Sequence, residues 1–545
     1  MKSIATMLSI IGLGFGLLGC PAKEEVPFAI TTAAPYGVAG NDYSTNLGTT
    51  CGIASLPWTL SSGALPVGLI FDGATGDVTG KPGVAGNFIV VFAATDSTGK
   101  TETCPVLFVV HPRTDRVSVD TNGSSVTGAT NREPSISSTD GRFIAFTSSG
   151  SALIAGVVGQ QIYLHDRQTG QPSLVSIDNF GSAGIGGVSS VASVSADGRF
   201  VAFVSTATNL VPGVSGQQIY LHDTQTSPSF PNGQTTLVSK DSSGIPATAG
   251  PLIILSNTAP TISADGRFIA FVSTATNLVP GVSGQQIYLH DTQPSPNGQT
   301  TLVSKDGSGS PANVGSSNIS PRISANGLFV AFVSTATNLV PGVSGQQIYV
   351  HDTQPVPNGQ TTLVSKDGSG SPATAGLSIL SNTSPTISAD GRFVAFASNA
   401  TNLVGNFGLQ IYLHDTQPVP NGQTTLVSND GLGNPATAAP LNTSNTLPTI
   451  STDGRFVAFV STATNLVPGV SGLQIYLHDT QPLPNGQTTL VSKDESGTSA
   501  TAVSGIFPPV VATNGAFVAF VSPALTLVTF PPPAANLDVY VRAIP

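Results

Sequence analysis

Six of the seven histidines occupy one repeated position, and this pattern is the first candidate for chemistry in the chain. Each lies in a copy of Ile-Tyr-Leu-His-Asp or Ile-Tyr-Val-His-Asp: His165, His222, His290, His351, His414 and His478. Neutral imidazole binds zinc and also acts as a general acid or base, so a ring of histidines could form a metal or catalytic site. The elements that carry them decide whether the side chains can meet.

The histidine segment belongs to a unit that recurs along the chain. The unit starts with Asp-Gly-Arg-Phe or a close variant and continues with an apolar segment such as Phe-Val-Ala-Phe-Val-Ser. The seven copies begin at Asp140, Asp197, Asp265, Asn326, Asp390, Asp453 and Asn514. Repetition of this kind is typical of radial or solenoid architectures, in which each repeat is one supersecondary element.

Each unit contains four candidate strands, as the unit at 385–428 illustrates. Its strands are predicted at 386–388, 392–398, 410–415 and 424–428, and an Asn-Gly pair that favours a tight hairpin precedes the fourth. The histidine strand is the third, about 9–10 Å out from the first at the usual strand spacing. Equivalent histidines are then too far apart to share an ion with bonds of ~2 Å. We predict that they pack between units.

The Asp-Gly pair of the motif is predicted to be a turn, because Asp bonds its own backbone and Gly accepts a positive φ. In the two units that start with Asn, the motif arginine is replaced by Leu328 and Ala516. A local pairing between the motif Asp and Arg would explain this joint loss.

Four antiparallel strands in seven units predict a seven-bladed β-propeller over residues 113–545. The last unit has three strands, and Arg116-Val-Ser-Val-Asp120 matches the segment around the fourth strand of the others. We therefore predict 3+1 closure, in which the N-terminal strand completes the last blade. The pattern S-x-D-G-x-x-(I/V)-A-F-x-S followed by I-Y-(L/V)-x-D resembles the TolB-type (WD40-like) propeller repeat.

Residues 26–112 carry a different pattern. Leu56-Pro-Trp-Thr-Leu60 and Leu65-Pro-Val-Gly-Leu69, followed by Thr75-Gly-Asp-Val-Thr-Gly-Lys-Pro82, resemble the bacterial putative-Ig or dystroglycan-type cadherin-like module. The resemblance implies an Ig-like β-sandwich. Because family members include calcium-binding proteins, it also makes Asp72, Asp77 and Asp96 candidate calcium ligands. Turn-forming aspartates are the alternative, since three scattered carboxylates fall short of a 6–8 oxygen shell, and no cofactor is predicted.

The N-terminus has the features of an export signal. Lys2 and an apolar stretch from Met7 to Leu18 precede Leu-Leu-Gly-Cys20, and the stretch is shorter than the ~20 residues that span a bilayer. This ending resembles a bacterial lipobox, which implies a lipoprotein signal peptide over 1–20, lipidation of Cys20 and a tether over 21–25. We predict an exported, lipid-anchored protein of the bacterial cell envelope, at the outer membrane or cell surface. Cys51 and Cys104 are predicted to form a disulfide.

Composition and strand direction bear on the partners. Charged residues make up 9% of the chain, the formal net charge is −10, and no Lys/Arg cluster occurs, which argues against nucleic acid. The long loops after strands two and four emerge on one face, and we predict that this face binds a protein or cell-surface polymer. It is represented by Asn209, Asn277, Asn338, Asn402 and Asn465.

The sequence contains no recognisable catalytic constellation. It has no G-x-S-x-G elbow, no α/β segment and no S-x-D-x-G-x-T-W box, which argues against the propeller-plus-hydrolase arrangement of some peptidases. We therefore predict no enzyme, but a non-enzymatic protein-interaction scaffold that acts through its propeller. The alternatives are a carbohydrate- or matrix-binding adhesin and, less favoured, a glycan-active hydrolase or lyase.

Overall fold

The computed structural model describes residues 29–544, apart from 31–33, 35–36, 40–41, 51–57, 96–98, 100, 113, 139, 249–256, 294–296, 355–358, 375–381, 405–407, 418–421, 438–444, 482–484, 501–506, 525 and 529–535. Every helix or strand among these described residues is a β-strand, which confirms the predicted all-β class. Contacts divide the chain into two compact units, residues 1–112 and 113–545. The described residues include no helix of the length and apolarity that a membrane crossing needs.

The first unit contains nine strands among its described residues: β1 (Ala29–Ile30), β2 (Gly37–Val38), β3 (Tyr43–Asn46), β4 (Thr49–Thr50), β5 (Trp58–Ser62), β6 (Leu69–Phe71), β7 (Asp77–Gly80), β8 (Gly86–Thr95) and β9 (Thr101–His111). They form sheets in the orders β2-β9-β8-β5, β3-β7-β6 and β1-β4. Trp58, Phe92 and Phe108 are buried in the core. Gly76 lies at φ 79° under the Trp58 indole, where a side chain would crowd the ring, so the Thr-Gly of the motif is a packing requirement.

The second unit contains seven four-stranded sheets among its described residues. Six consist of consecutive strands: β11 (Asn131–Ile136), β12 (Phe143–Ser148), β13 (Gln161–Asp166), β14 (Gln171–Leu174); β15 (Ser189–Val194), β16 (Phe200–Ser205), β17 (Gln218–Asp223), β18 (Gln234–Leu237); β19 (Asn257–Ile262), β20 (Phe268–Ser273), β21 (Gln286–Asp291), β22 (Gln299–Leu302); β23 (Asn318–Ile323), β24 (Phe329–Ser334), β25 (Gln347–Asp352), β26 (Gln360–Leu363); β27 (Thr383–Ile387), β28 (Phe393–Ser398), β29 (Gln410–Asp415), β30 (Gln423–Leu426); β31 (Asn445–Ile450), β32 (Phe456–Ser461), β33 (Gln474–Asp479) and β34 (Gln487–Leu490). For the unit at 385–428, these bounds lie within three residues of the predicted ones.

The remaining sheet joins the two ends of the second unit. It has the order β10-β37-β36-β35 and consists of β10 (Thr114–Arg116), β35 (Val510–Val511), β36 (Phe517–Ser522) and β37 (Asp538–Ala543). β10 pairs antiparallel with β37, so that Thr114 lies opposite Arg542 and Arg116 opposite Tyr540. The chain ends of this unit are therefore held by backbone hydrogen bonds within one sheet.

The first strand of each sheet contacts the first strand of the next, in the sequence β11, β15, β19, β23, β27, β31 and β35, and β35 contacts β11. In six of them the register shifts at a β-bulge. A residue of positive φ lies at each bulge: Glu133, Val191, Ala259, Ser320, Ser384 and Leu447. Repeated strain of this kind marks a backbone that the surrounding structure holds in place.

Both faces of the second and third strands are buried, because neighbouring sheets cover them. Strand β24 illustrates this, since Ala331 and Val333 pack in one cluster and Val330 and Phe332 in another. The repeated Phe-Val-Ala-Phe-Val-Ser segment is therefore apolar at nearly every position instead of alternating. Phe332 also stacks on Tyr349 of the next strand, with 5.8 Å between ring centroids.

Candidate functional site

The Asp-Gly turn of the motif is built by short-range bonds and by one contact with the preceding sheet. Asp265 accepts hydrogen bonds from the Arg267 amide at 3.0 Å and from the Ser263 hydroxyl at 2.6 Å. Gly266 lies at φ 75°, and a Cβ on it would overlap the Phe200 ring. The glycine is therefore needed both for its backbone conformation and for close packing against the neighbouring phenylalanine.

The arginine of the motif pairs with the aspartate at the end of the third strand. Arg267 Nε and Nη2 donate to Asp291 Oδ1 and Oδ2, both at 2.7 Å. The same two-pronged pair forms in the units of Arg142, Arg199, Arg392 and Arg455. The suggested pairing with the motif Asp is therefore wrong, because that carboxylate binds the turn itself.

Each of these arginines also lies over the phenylalanine that follows it. The distance from the guanidinium carbon to the ring centroid is 4.5 Å for Arg199 over Phe200 and 4.8 Å for Arg455 over Phe456. A planar cation is thus held between an aromatic face and a carboxylate. We call this arrangement of motif phenylalanine and third-strand aspartate the guanidinium cage.

The cage also sets the acidity of its aspartate. Burial by itself would raise the pKa of Asp415, but hydrogen bonds from Arg392 and from the Gln417 amide outweigh it and hold that pKa below its usual value. The carboxylate of a filled cage is therefore ionised at neutral pH.

The unit of Ala516 has lost both its arginine and its aspartate, since Ala543 takes the place of the third-strand Asp. A guanidinium nevertheless lies over its phenylalanine: Arg167, from the β13–β14 turn of another sheet, has its guanidinium carbon 4.8 Å from the Phe517 centroid. Arg167 is fully buried, and its Nε lies 3.8 Å from Asp115 Oδ2. The position is filled by a residue distant in sequence.

The unit of Leu328 has lost only the arginine. Phe329 and Asp352 remain and lie directly opposite each other in β24 and β25. Among the described residues, no cation lies over Phe329 and no basic group pairs with Asp352. The carboxylate accepts one hydrogen bond, from the Gln354 amide at 2.9 Å.

A cavity of about 600 Å³ lies at this incomplete cage, in the groove between the sheet of β23–β26 and the sheet of β27–β30. Phe329 and Asp352 line it together with Gln360, Thr362 and Gln417. Two basic residues, Lys366 and Arg392, also line it, and Arg392 is paired with Asp415. The corresponding groove one sheet further, where Arg392 fills the cage of Phe393 and Asp415, encloses about 310 Å³. The larger groove thus coincides with the missing arginine.

Five of the six third-strand histidines join neighbouring sheets by hydrogen bonds, which confirms the predicted packing between units for these five. The Nδ1 atom of His351 lies 2.9 Å from Thr361 Oγ1, and that hydroxyl donates to the Lys305 carbonyl of the preceding repeat at 2.6 Å. The same chain recurs at His222, His290, His414 and His478. In the last sheet, Arg542 takes the histidine position and bonds Thr114 Oγ1 and the Lys493 carbonyl.

Burial lowers the pKa of these five histidines to about 4. Because Thr361 Oγ1 donates its proton to a carbonyl, it accepts from His351, which assigns the Nδ1–H tautomer. The imidazoles are therefore neutral, internal structural groups at neutral pH.

The five predicted binding asparagines lie in loops that they themselves hold together. Asn277 Oδ1 accepts from the Thr248 amide at 2.9 Å, and its Nδ2 donates to the Pro246 carbonyl at 3.0 Å. Asn209, Asn338, Asn402 and Asn465 make the equivalent pair of bonds. Cavities of about 480 and 420 Å³ lie beside two of these loops. Ligand binding at this face stays a prediction.

Several predicted residues lie outside the described part of the chain, namely Cys20, Cys51 and Asp96. Lipidation and the disulfide therefore stay predictions, and Cys104 is half-buried in β9. Asp72 Oδ1 accepts from the Ala74 amide at 2.8 Å, and Asp77 accepts from Asn46 and Thr75. The described residues contain no group of three or more His, Cys, Asp or Glu side chains placed to hold a metal ion.

Sequence reasoning missed the incomplete cage, although half of its signal was visible. The loss of arginine at Leu328 was noted, but it was coupled to the change from Asp to Asn at residue 326. The informative contrast lies at the end of the third strand. The aspartate is retained there as Asp352 in the unit of Leu328, but it is replaced by Ala543 in the unit of Ala516.

Comparison with known families places the first unit. Residues 26–111 match the model of the family described as "Putative Ig domain". This match supports the predicted Ig-like character of the N-terminal unit. No match is found among the curated proteins.

Solved structures similar to this chain include β-propellers. The propeller domain of the Trilobed protease from Pyrococcus furiosus is 11% identical, covers 77% of this chain and 94% of its own, and has a TM-score of 0.42. The Cps50 (Swd1) propeller of Myceliophteria thermophila is 9% identical, with coverages of 77% and 100% and a TM-score of 0.40. Pyrococcus horikoshii acylaminoacyl peptidase is 12% identical, with a TM-score of 0.39. The match covers 76% of this chain and 51% of that peptidase, so this chain spans about half of the peptidase's length.

These neighbours correct the predicted function. In the Trilobed protease the β-propeller is a domain of a protease, and peptidases recur among the similar structures. The propeller and the missing catalytic motifs therefore do not establish a non-enzymatic interaction scaffold, and that prediction is wrong. At identities near 12%, the likeness extends to the fold alone.

Proposed function

We propose that this chain binds a ligand that carries a guanidinium group, and that Phe329 and Asp352 recognise it. The observation that supports the proposal is a comparison of the seven repeat units with one another. Six of the seven motif phenylalanines have a guanidinium over the ring, and Phe329 is the exception among the described residues. The site is formed by the same strands that hold an arginine elsewhere, so it needs little rearrangement to accept one from outside.

The groove adds contacts that a single guanidinium would not use. A cation over an aromatic face contributes about 0.5–2 kcal/mol, and a charged hydrogen bond about 1.5–3 kcal/mol. These terms alone give weak binding, because a Kd of 1 mM already requires about 4 kcal/mol. The cavity of about 600 Å³ accommodates more of the ligand, and Gln360, Thr362 and Gln417 offer it hydrogen bonds. An arginine residue within a peptide fits these features, and no reaction is assigned to the site.

We place this site on a closed seven-bladed propeller of the TolB type with 3+1 closure. The support comes from bonds between the last and first sheets: the Thr513 amide donates to the Ser138 carbonyl at 3.2 Å. Gly141 also packs on Phe517, as each motif glycine packs on the phenylalanine of the preceding sheet. The lipobox-like ending at Cys20 supports export and lipid anchoring at a bacterial envelope membrane, where the partner would be a protein and not a nucleic acid.

Isothermal titration calorimetry with an arginine-containing tripeptide tests the proposal, with the citrulline analogue as the neutral isostere. We expect one site per chain for the arginine peptide and at least tenfold weaker binding of the citrulline peptide. D352N should lose binding because the counter-charge is gone. L328R should lose it because its own guanidinium would fill the cage, as Arg267 does in the equivalent unit.

A matched gain-of-site variant makes the test independent of folding defects. R455L would open the cage of Phe456 and Asp479, so the stoichiometry should rise from one to two. Unchanged affinity in both L328R and D352N would overturn the proposal. Equal binding of the arginine and citrulline peptides would do the same.

A further inference from the structure

A cation without a counter-charge among the described residues lies on the first strands, in a layer of equivalent positions. The residue opposite the Ala of the Phe-Val-Ala-Phe segment is a hydroxyl residue in five sheets: Ser135, Ser193, Thr261, Thr386 and Thr449. In the fourth sheet it is Arg322, opposite Ala331, and in the last it is Val510. Register alone therefore places one arginine in a ring of hydroxyl groups.

The hydroxyl groups of this layer link neighbouring first strands. Ser135 Oγ accepts from the Val194 amide at 3.0 Å, and Thr261 Oγ1 accepts from the Ile323 amide at 3.3 Å. Arg322 cannot take this role, because a guanidinium has donors and no acceptor. The fourth sheet thus presents extra N–H groups to the layer where other sheets present an acceptor.

Arg322 has no counter-charge among the described residues. It makes one hydrogen bond, from Nη1 to the Pro321 carbonyl at 2.9 Å. Burial lowers the pKa of its guanidinium, which indicates that water does not fully solvate the charge. The other charged residues in the first strands, Arg132 and Glu133, form an ion pair, and Glu133 also accepts from Thr147 and the Val191 amide.

We propose that Arg322 and the neighbouring hydroxyl layer bind a small oxyanion, a carboxylate or a phosphate. A half-buried cation is costly unless a partner neutralises it, and a planar guanidinium matches the oxygens of either anion. Thr261 and Thr386 hold the equivalent positions in β19 and β27, the two first strands that contact β23. The oxyanion site is formed by residues of the first strands and does not include Phe329 or Asp352. Either proposed site can therefore be disproved without affecting the other.

Titration calorimetry on the full chain with inorganic phosphate and, separately, with acetate tests this site. We expect one anion per chain, with at least tenfold weaker binding in R322S, which restores the hydroxyl of the repeat. R322K keeps the charge but not the planar fork and should bind with intermediate affinity. Preference between phosphate and acetate identifies the class of anion.

R267L is the matched control, since it removes an arginine charge outside both proposed sites and should bind the anion with wild-type affinity. R322S is expected to fold, because serine occupies the same position in two other sheets. Wild-type affinity in R322S would overturn the proposal. Absence of binding of both anions to the wild-type chain would also overturn it.

Discussion

The unit of Leu328 and the unit of Ala516 have both lost the arginine of the motif, but the fold restores a guanidinium in only one of them. Arg167 reaches Phe517 from another sheet and lies beside Asp115, whereas Phe329 and Asp352 have no such substitute among the described residues. The difference shows that a repeat position can be filled in space without being filled in sequence. An unfilled position beside a retained carboxylate is then a candidate for a ligand.

Acidification should produce the largest effect and should separate the two units. His351 titrates in the sheet of Leu328, while Arg542 holds the same position in the sheet of Ala516. The pKa of about 4 in the folded state lies below the ordinary 6.5, so the unfolded chain binds more protons between these values. This contribution is complete above pH 6.5 and is lost as the pH falls towards 4. All five histidines lose this contribution over the same pH window.

Denaturant unfolding at pH 7.5 and pH 4.5 measures this loss, and amide hydrogen exchange locates it. The protection factors of the amides in β26, opposite His351, should fall at the lower pH more than those in β10, opposite Arg542. Equal protection of β26 at both pH values would contradict the prediction. The carboxylates of Asp415 and Asp479 stay ionised between pH 7.5 and pH 4.5, because their pKa values lie below the usual carboxyl value. Their ion pairs therefore do not contribute to the loss of stability over this range.

Removal of the borrowed arginine should be the next largest effect. R167L strips a fully buried guanidinium from Phe517 and from the Asp115 carboxylate, and we expect a loss of about 3 kcal/mol in the free energy of unfolding. R267L is the matched control, since its solvent-exposed pair with Asp291 should contribute much less to the free energy of unfolding. Equal losses in the two variants would show that burial of Arg167 carries no special weight.

Alanine at the motif glycine tests how tightly each phenylalanine is held. Gly266 packs on Phe200, which Arg199 covers, while Gly391 packs on Phe329 beside the cavity, and a Cβ on either glycine would overlap its ring equally closely. Phe329 has room to move, so G391A should destabilise less than G266A, by about 1 kcal/mol. Positive φ is common to both glycines, 75° and 80°, and its strain largely cancels in the comparison. Thermal unfolding of the two variants measures the difference.

Filling the incomplete cage should give the smallest effect and the opposite sign. L328R would place a guanidinium over Phe329 and beside Asp352, for a gain of at most about 1 kcal/mol in the free energy of unfolding. L328K lacks the planar fork and should gain less. A loss of stability in L328R larger than that in L328K would show that this groove differs from the filled cages.

Much of the second unit was predictable from its periodicity. The strands, the Asp-Gly turns and the burial of the histidines follow from local patterns repeated often enough to average out irregularities, as β29 (Gln410–Asp415) shows. The cage was not predictable in this way. Arg267 and Asp291 are 24 residues apart, and a pairing at that distance is visible only when the two strands are brought into register.

The sequence by itself determined the all-β class, the four-stranded unit and the position of the histidines within it, because strand period and turn chemistry are local properties. Tertiary structure alone decided which motif phenylalanines carry a cation. Arg167 and Phe517 are 350 positions apart and meet only because the last sheet lies against the first. Leu328 became informative by the same comparison, since an absent side chain matters only where its partners Phe329 and Asp352 remain in place.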